Sequence, residues 1–242
     1  MKALILSAGV SRRLYPLTYN QPKCLLEVGP KRILDYQLSA LLELGITEVT
    51  MVLGYYRERI MEYISENYQK IILTPVINHH YFETNTAYSV NMAISHVFDA
   101  PFLLMNADVV YPKALLQQII SSKFQSALAV EIKKCGREEV KVIEGKDQRI
   151  VAIGKDIIQE NSLGEFIGVA KFSSEFGQSF SHSLKALVEA GGNADYFEAA
   201  IHPLLDFTDI YYEDITHFPC IEIDFKEDLD NARDIISTKW YQ

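Results

Sequence analysis

The sequence is short of several things, and each shortage excludes a class. Its 242 residues hold three cysteines, Cys24, Cys135 and Cys220, with no Cys-x-x-Cys pair. An odd number without paired spacing supports neither a disulfide framework nor a zinc site, so reduced thiols are expected. There is no apolar run of about 18 residues, so no membrane-spanning helix is expected. Twelve glycines and eight prolines are too few for a collagen-like or low-complexity chain. A P-loop is missing, because no glycine-rich loop ends in Gly-Lys-[Ser/Thr]. The Gly-x-Gly-x-x-Gly fingerprint is missing too, which counts against an NAD(P)-dependent reductase. The opening Met1–Leu6 reaches Gly9 at once and offers no signal-peptide core, so a cytoplasmic location is expected.

Positive charge is also scarce. The net charge is -9, which argues against nucleic acid as a partner. What basic charge there is lies unevenly. Residues 1–32 carry Lys2, Arg12, Arg13, Lys23, Lys31 and Arg32 against Glu27 alone, a balance of +5. Residues 206–242 carry a balance of -7. A basic segment in an acidic protein points to a small anionic ligand rather than a long polymer.

Hydrophobic patterning predicts strands at Lys2–Leu6, Glu48–Leu53, Lys70–Ile77 and Pro101–Met105. Between them it predicts helices from Ile33 to Leu44, stopped by Gly45, from Arg57 to Tyr68, and from an N-cap at Thr86 through Val97. This alternation predicts an α/β fold with a mostly parallel sheet, whose ligands bind at the carboxyl ends of the strands. After about residue 125 the rhythm changes. Short strands are predicted at Ser126–Ile132, Glu139–Glu144, Arg149–Ile153 and Glu165–Phe172, then helices at 174–190 and 195–205. Strands near 210–213 and 219–224 and a final helix at 226–238 complete the chain. No linker interrupts it, so one domain over residues 1–242 with an inserted β-rich part is expected. Trp240-Tyr241 suits docking on the body or on a second subunit, and the sequence leaves both open, as it does the oligomeric state.

Three stretches can carry chemistry. The loop from Ser7, with Gly9, Arg13 and Lys23, either offers backbone N–H groups and cations to phosphate oxygens or is a tight turn with two solvated arginines, Arg12 and Arg13. Asn106-Ala107-Asp108 ends an apolar strand, where a carboxylate can hold a divalent cation or cap the next turn. Asp224, in Glu222-Ile223-Asp224, is either a second metal carboxylate or the N-cap of the last helix. Spacing alone does not join Asp108 to Asp224. His79-His80 has no third ligand and predicts no zinc site. Cys24 beside Lys23 reads as a small buried residue rather than a redox group.

Taken in order, Leu6–Leu25, Thr84–Ser89, Asn106–Asp108, Gly164–Phe172 and Glu222–Ala232 resemble the sugar-phosphate and choline-phosphate nucleotidylyltransferases. The Gly164-Glu165-Phe166-Ile167-Gly168 run and Tyr88-Ser89 after Asn85 are most similar to the phosphocholine-type cytidylyltransferase branch. The resemblance implies a Rossmann-like, nucleotide-diphospho-sugar transferase fold and Mg²⁺-dependent transfer of a nucleotidyl group. The donor is CTP or another NTP, the acceptor a small phosphorylated molecule (phosphocholine, aminoethylphosphonate or a sugar 1-phosphate), and pyrophosphate is released. It implies an NTP-binding half at 1–125 and an acceptor-binding, metal-completing half at 126–242. It further implies that Leu6, Ala8, Gly9, Asn85 and Thr86 contact the nucleotide and that Arg13 and Lys23 bind its phosphates. Asp108 and Asp224 would hold Mg²⁺, and Lys155, Glu165, Tyr196 and Glu198 would face the acceptor.

The chain departs from the family at one place. The family loop reads Gly-x-Gly-[Ser/Thr]-Arg, and here Ser11 and Arg12 take the third and fourth positions. A non-catalytic NTP-binding or nucleotide-sugar-binding regulator of the same fold is the alternative reading. For a choline-like acceptor, an aromatic cage from Tyr55, Tyr88, Tyr196, Phe197, Tyr211 and Tyr212 with Glu198 is the arrangement to look for.

Overall fold

The computed structural model describes residues 1–239; the terminal Trp240-Tyr241 pair lies outside the described residues. The first half runs β1 (Lys2–Ser7), β2 (Glu27–Val28), β3 (Lys31–Arg32), α1 (Ile33–Glu43), β4 (Glu48–Leu53), α2 (Arg57–Asn67), β5 (Ile72–Ile77), α3 (Thr86–Ala93), β6 (Phe102–Asn106), β7 (Val109–Val110) and α4 (Lys113–Ser121). The second runs β8 (Ala127–Glu131), β9 (Lys141–Glu144), β10 (Ile150–Gly154), β11 (Gly164–Phe172), α5 (Ser174–Glu189), α6 (Glu198–Ile201), β12 (Tyr211–Asp214), β13 (Ile221–Glu222) and α7 (Lys226–Lys239).

One nine-stranded sheet organises all of this, in the order β10-β9-β11-β6-β1-β4-β5, with β8 pairing β11 and β12. β6, β1, β4 and β5 are parallel, and β11 joins β6 antiparallel through Val169–Phe172. The β-rich stretch after residue 125 therefore extends the sheet of the first half. This is the mixed, mostly parallel architecture expected from the alternating pattern. A parallel strand covered on both faces must be apolar on both. β1 obeys: Ala3 and Ile5 pack on one side with α1, α2 and α4, and Leu4 and Leu6 on the other with α3, α5 and α6. A smaller core seats α7 against Leu14, Val28 and Ile33.

Some elements differ from the sequence expectation, for identifiable reasons. α4 is not anticipated; its Leu115, Leu116 and Ile119 are fully buried. Thr86 is not the N-cap of α3. Asn85 is, its side chain accepting from the Thr86 N–H at 2.8 Å, while the Thr86 hydroxyl accepts from the Phe197 N–H at 3.0 Å. The helix expected over 195–205 is one α turn, Glu198–Ile201, followed by a tighter turn at His202–Asp206, where Pro203 removes a backbone donor.

Gly168 fixes a bend in β11 that faces the site. It has φ 73°, it lies where the pairing with β8 slips between Phe166 and Ala170, and a Cβ there would run into the Asn106 side chain. Gly168→Ala is expected to destabilise the fold by about 2–4 kcal/mol, combining left-handed strain with the clash. Urea unfolding measures this; a loss under about 0.5 kcal/mol would mean that the strand relaxes freely.

Candidate active site

The carboxyl ends of β1 and β6 open onto a cleft of about 590 Å³. The loop after β1 brings Leu6, Ala8, Gly9, Arg13 and Lys23 to it, and the start of α3 brings Asn85 and Thr86. Asp108 enters from the turn after β6 and Asp224 from the segment before α7. Lys155, Glu165, Tyr196 and Glu198 line the opposite end. The residues that the resemblance assigns to nucleotide, metal and acceptor thus border one cavity, whereas Arg12 does not line it.

The juxtaposition that spacing did not reveal comes from a short strand pair. β13 lies antiparallel on β7, with Glu222 opposite Val109, and the Ile223 N–H donates to the Asp108 carbonyl at 3.0 Å. This sets Asp108, Glu222 and Asp224 side by side, with one carboxylate oxygen of each within 4.8 Å of the others. Asp224 is not the cap of α7. The turn entering the helix is held by Asp228, in its first turn, whose carboxylate accepts from the N–H groups of Asp224 and Phe225 at 3.0 and 2.7 Å. The Asp224 side chain is thereby free for the cleft.

Lys23 bridges the acidic group. Its ammonium lies 2.8 Å from Asp108 Oδ2 and 2.9 Å from Asp224 Oδ1, and Arg13 donates to Asp224 Oδ2 at 2.8 Å. Burial works against the Lys23 charge, but Asp108 and Asp224 outweigh it and hold its pKa up at about 12. Burial also works against ionised Asp224, yet Lys23 and Arg13 keep that carboxyl below the usual range. Glu222 has no ion pair among the described residues; burial, then Asp108 and Asp224, push its carboxyl up against the weaker opposing pull of Lys23. Asp108 Oδ1 is buried with no partner among the described residues. An orphaned carboxylate oxygen inside a three-carboxylate set fits a hard divalent cation.

Two supporting residues escaped the sequence reading. Glu222 was visible only as an alternating position beside Asp224. Gln37, fully buried on α1, donates its amide to the carbonyls of Asn106 and Val109 at 2.8 and 3.0 Å, and so braces the turn that presents Asp108. Nothing in the helical pattern distinguishes it from an ordinary polar position.

The departure at Ser11 is absorbed locally. Ser11 adopts φ 55°, ψ 50°, the left-handed conformation that glycine takes freely and that costs a serine about 1 kcal/mol. The Thr18 hydroxyl and the Leu14 N–H both donate to its carbonyl, at 3.0 and 3.1 Å. The turn holds, and Arg13 reaches Asp224. Cys24 is buried, and its thiol is pushed up to about 12 by that burial, which makes it inert.

At the other end, Lys133 bridges Glu131 and Glu165 at 2.7 and 2.6 Å. Lys155 lies 4.4 Å over the Tyr196 ring. The aromatic cage is not assembled. Tyr55 is tied by its hydroxyl to the Thr18 and Tyr19 carbonyls, Tyr211 stacks on Phe124, and Tyr212 donates to Glu144. Of the six rings considered, Tyr196 and Phe197 reach the cleft. Their neighbour Glu198 is 4% exposed, and burial pushes its carboxyl from an ordinary 4.5 up to about 7. A folded value above the unfolded one means that stability is full below about pH 4.5 and is lost as pH rises through about 7. Glu198→Gln is therefore expected to gain about 1–3 kcal/mol relative to wild type between pH 5 and pH 8, read by urea unfolding at both. An equal difference at the two pH values would show that Glu198 titrates normally.

Residues 2–142 match the nucleotidyl transferase family. The chain belongs to that family. Among curated relatives of this nucleotidyl transferase, CTP:phosphoglutamine cytidylyltransferase of Campylobacter jejuni is 29% identical over 191 residues, covering 73% of this chain and 74% of that one. Choline-phosphate cytidylyltransferase of Streptococcus pneumoniae is 26% identical over 246 residues, covering 99% and 100%. The solved CTP:phosphocholine cytidylyltransferase of Streptococcus pneumoniae superposes with a TM-score of 0.81 over 97% of this chain and 98% of that one, at 24% identity. The likeness establishes the nucleotide-diphospho-sugar transferase fold for the nucleotidyl transferase. Among its described residues no helix is long and apolar enough to cross a membrane.

Proposed function

We propose that the chain transfers a cytidylyl group from CTP to the phosphate of a small acceptor and releases pyrophosphate, with Mg²⁺ held by Asp108, Glu222 and Asp224. The observation that carries this reading is Lys23, a buried cation bridging Asp108 and Asp224 where the β1 loop meets the ends of β6 and β13. Preference for CTP is supported by the two relatives described above, each named a cytidylyltransferase.

The reaction needs little acid–base help. A phosphate monoester has its second pKa near 6, so the acceptor oxygen is already anionic at pH 7. That oxygen bonds to the α-phosphorus, the bridging bond to the β-phosphate breaks, and the pair of electrons leaves with pyrophosphate. The obstacle is the mutual repulsion of two polyanions, and Lys23 and Arg13 offset it where charge develops. Bound Mg²⁺ would neutralise phosphate charge and fix the triphosphate's orientation. The loop N–H groups near Gly9 and the side chains of Asn85 and Thr86 orient the nucleotide, and Lys155 draws in the acceptor phosphate.

The test is pyrophosphate release with Mg²⁺, crossing CTP, UTP, dTTP, ATP and GTP with phosphocholine, 2-aminoethylphosphonate and sugar 1-phosphates. Release that depends on CTP, one acceptor class and Mg²⁺ supports the reading. Release with a different NTP alone overturns the cytidylyl assignment. CTP binding without release in any combination favours the regulatory alternative.

A further inference from the structure

The acceptor end of the cleft is rich in carboxylates, and all but one are engaged. Glu131 and Glu165 share Lys133, Glu139 accepts from the Gly136 N–H at 2.8 Å, and Glu138 stands 4.0 Å from Lys155. Glu198 differs. It borders the cleft, it is 4% exposed, and its Oε2 has no partner among the described residues. A buried anionic oxygen without a donor is costly, and the cost is removed when a ligand supplies an N–H or O–H group.

The surroundings narrow what that ligand group can be. A quaternary ammonium has no N–H to give and is held by aromatic faces. Here the Tyr196 face already carries the Lys155 ammonium, and Phe166 and Phe197 meet edge to face, with centroids 6.1 Å apart. A neutral hydroxyl can satisfy the Glu198 oxygen, but it leaves five carboxylates against two lysines at this end. A primary ammonium does both, donating up to three hydrogen bonds and adding the missing positive charge.

We infer that the acceptor is zwitterionic: a phosphate or phosphonate joined by a short chain to a primary ammonium, which Glu198 binds. The inference rests on the transfer reaction proposed above. The anionic group lies toward Lys155 and the reacting centre, and the ammonium lies against Glu198. The raised pKa of Glu198 agrees with a carboxylate that awaits its counter-ion, since a bound ammonium would hold it ionised.

The test measures kcat/KM with CTP and Mg²⁺ for five acceptors: 2-aminoethyl phosphate, 2-aminoethylphosphonate, phosphocholine, 2-hydroxyethyl phosphate and glucose 1-phosphate. At least one aminoethyl compound is expected to exceed phosphocholine and 2-hydroxyethyl phosphate by about 30-fold or more, because only it both donates and carries charge. Which of the two is preferred separates phosphate from phosphonate chemistry. In Glu198→Gln the preference for amine over hydroxyl is expected to shrink to within about 3-fold through a higher acceptor KM, with the KM for CTP little changed. Equal or better turnover of phosphocholine, 2-hydroxyethyl phosphate or glucose 1-phosphate overturns the inference and leaves the transfer reaction standing. So does an amine preference that survives in Glu198→Gln. No pyrophosphate release with any of the five removes both readings together.

Discussion

Lys23→Ala is expected to lower turnover about a thousandfold or more, because in the proposed transfer it removes the buried cation that offsets the charge developing at the α-phosphate. A structural ion pair would also weaken the protein, so turnover alone does not define the role. Two further readouts do. In the absence of nucleotide, the Lys23 ammonium sits on Asp108 Oδ2 and Asp224 Oδ1, on two of the three carboxylates that would take a divalent cation. Its removal leaves Arg13 on Asp224 as the remaining positive charge and Asp108 facing Glu222 with no cation among the described residues. Stability without added metal should therefore fall by about 3–5 kcal/mol, as it does when one partner of a buried pair is deleted. Added Mg²⁺ should restore much of it, and calorimetry should show cation affinity raised about tenfold by loss of the competing ammonium. Near-normal turnover would remove Lys23 from the chemistry. Unchanged cation affinity would separate it from the metal set.

The parts of the molecule legible in sequence are those fixed by local pattern. Apolar runs bounded by glycine and proline place β1, β4 and β6, and the spacing from Ile33 to Leu44 places α1. Residues on one loop, such as Gly9, Arg13 and Lys23, can be grouped because the chain itself holds them close. What escaped depends on contacts between distant segments. Asp108 and Asp224 meet only because the two-residue strands β7 and β13 pair, and two-residue strands carry no periodicity to detect. Glu222 could not be separated from a solvated strand position without that pairing. The aromatic cage failed for a related reason. Composition supplies tyrosines in plenty, but most of their hydroxyls and rings are committed to loops and to neighbouring strands. α4 is not legible because its nine residues bury only Leu115, Leu116 and Ile119, too short a stripe to establish a helical period.

Asp108→Asn should separate catalysis from stability more cleanly than the lysine variant. Asparagine keeps the size of the side chain and the turn braced by Gln37, so the fold has no cavity to close. Lys23 loses one of its two anions but keeps Asp224 at 2.9 Å, so a charged residue is not stranded. The buried Oδ1 has no partner among the described residues to lose. Stability without metal is therefore expected to stay within about 1–2 kcal/mol of wild type, in contrast to Lys23→Ala. With the proposed metal set, however, turnover should fall about 10⁴-fold or more, because the variant loses a hard anionic ligand and one of the two carboxylates that position Lys23. The thermal stabilisation given by Mg²⁺ should shrink with it, since a neutral amide oxygen replaces the carboxylate in a set of only three. If Asp108→Asn kept its turnover, the cation would have to be held elsewhere. If it lost turnover but kept the full Mg²⁺ stabilisation, Asp108 would serve to position Lys23 alone. Loss of both is the outcome the orphaned oxygen predicts, because a carboxylate that only paired with Lys23 would have no reason to leave Oδ1 buried and without a donor.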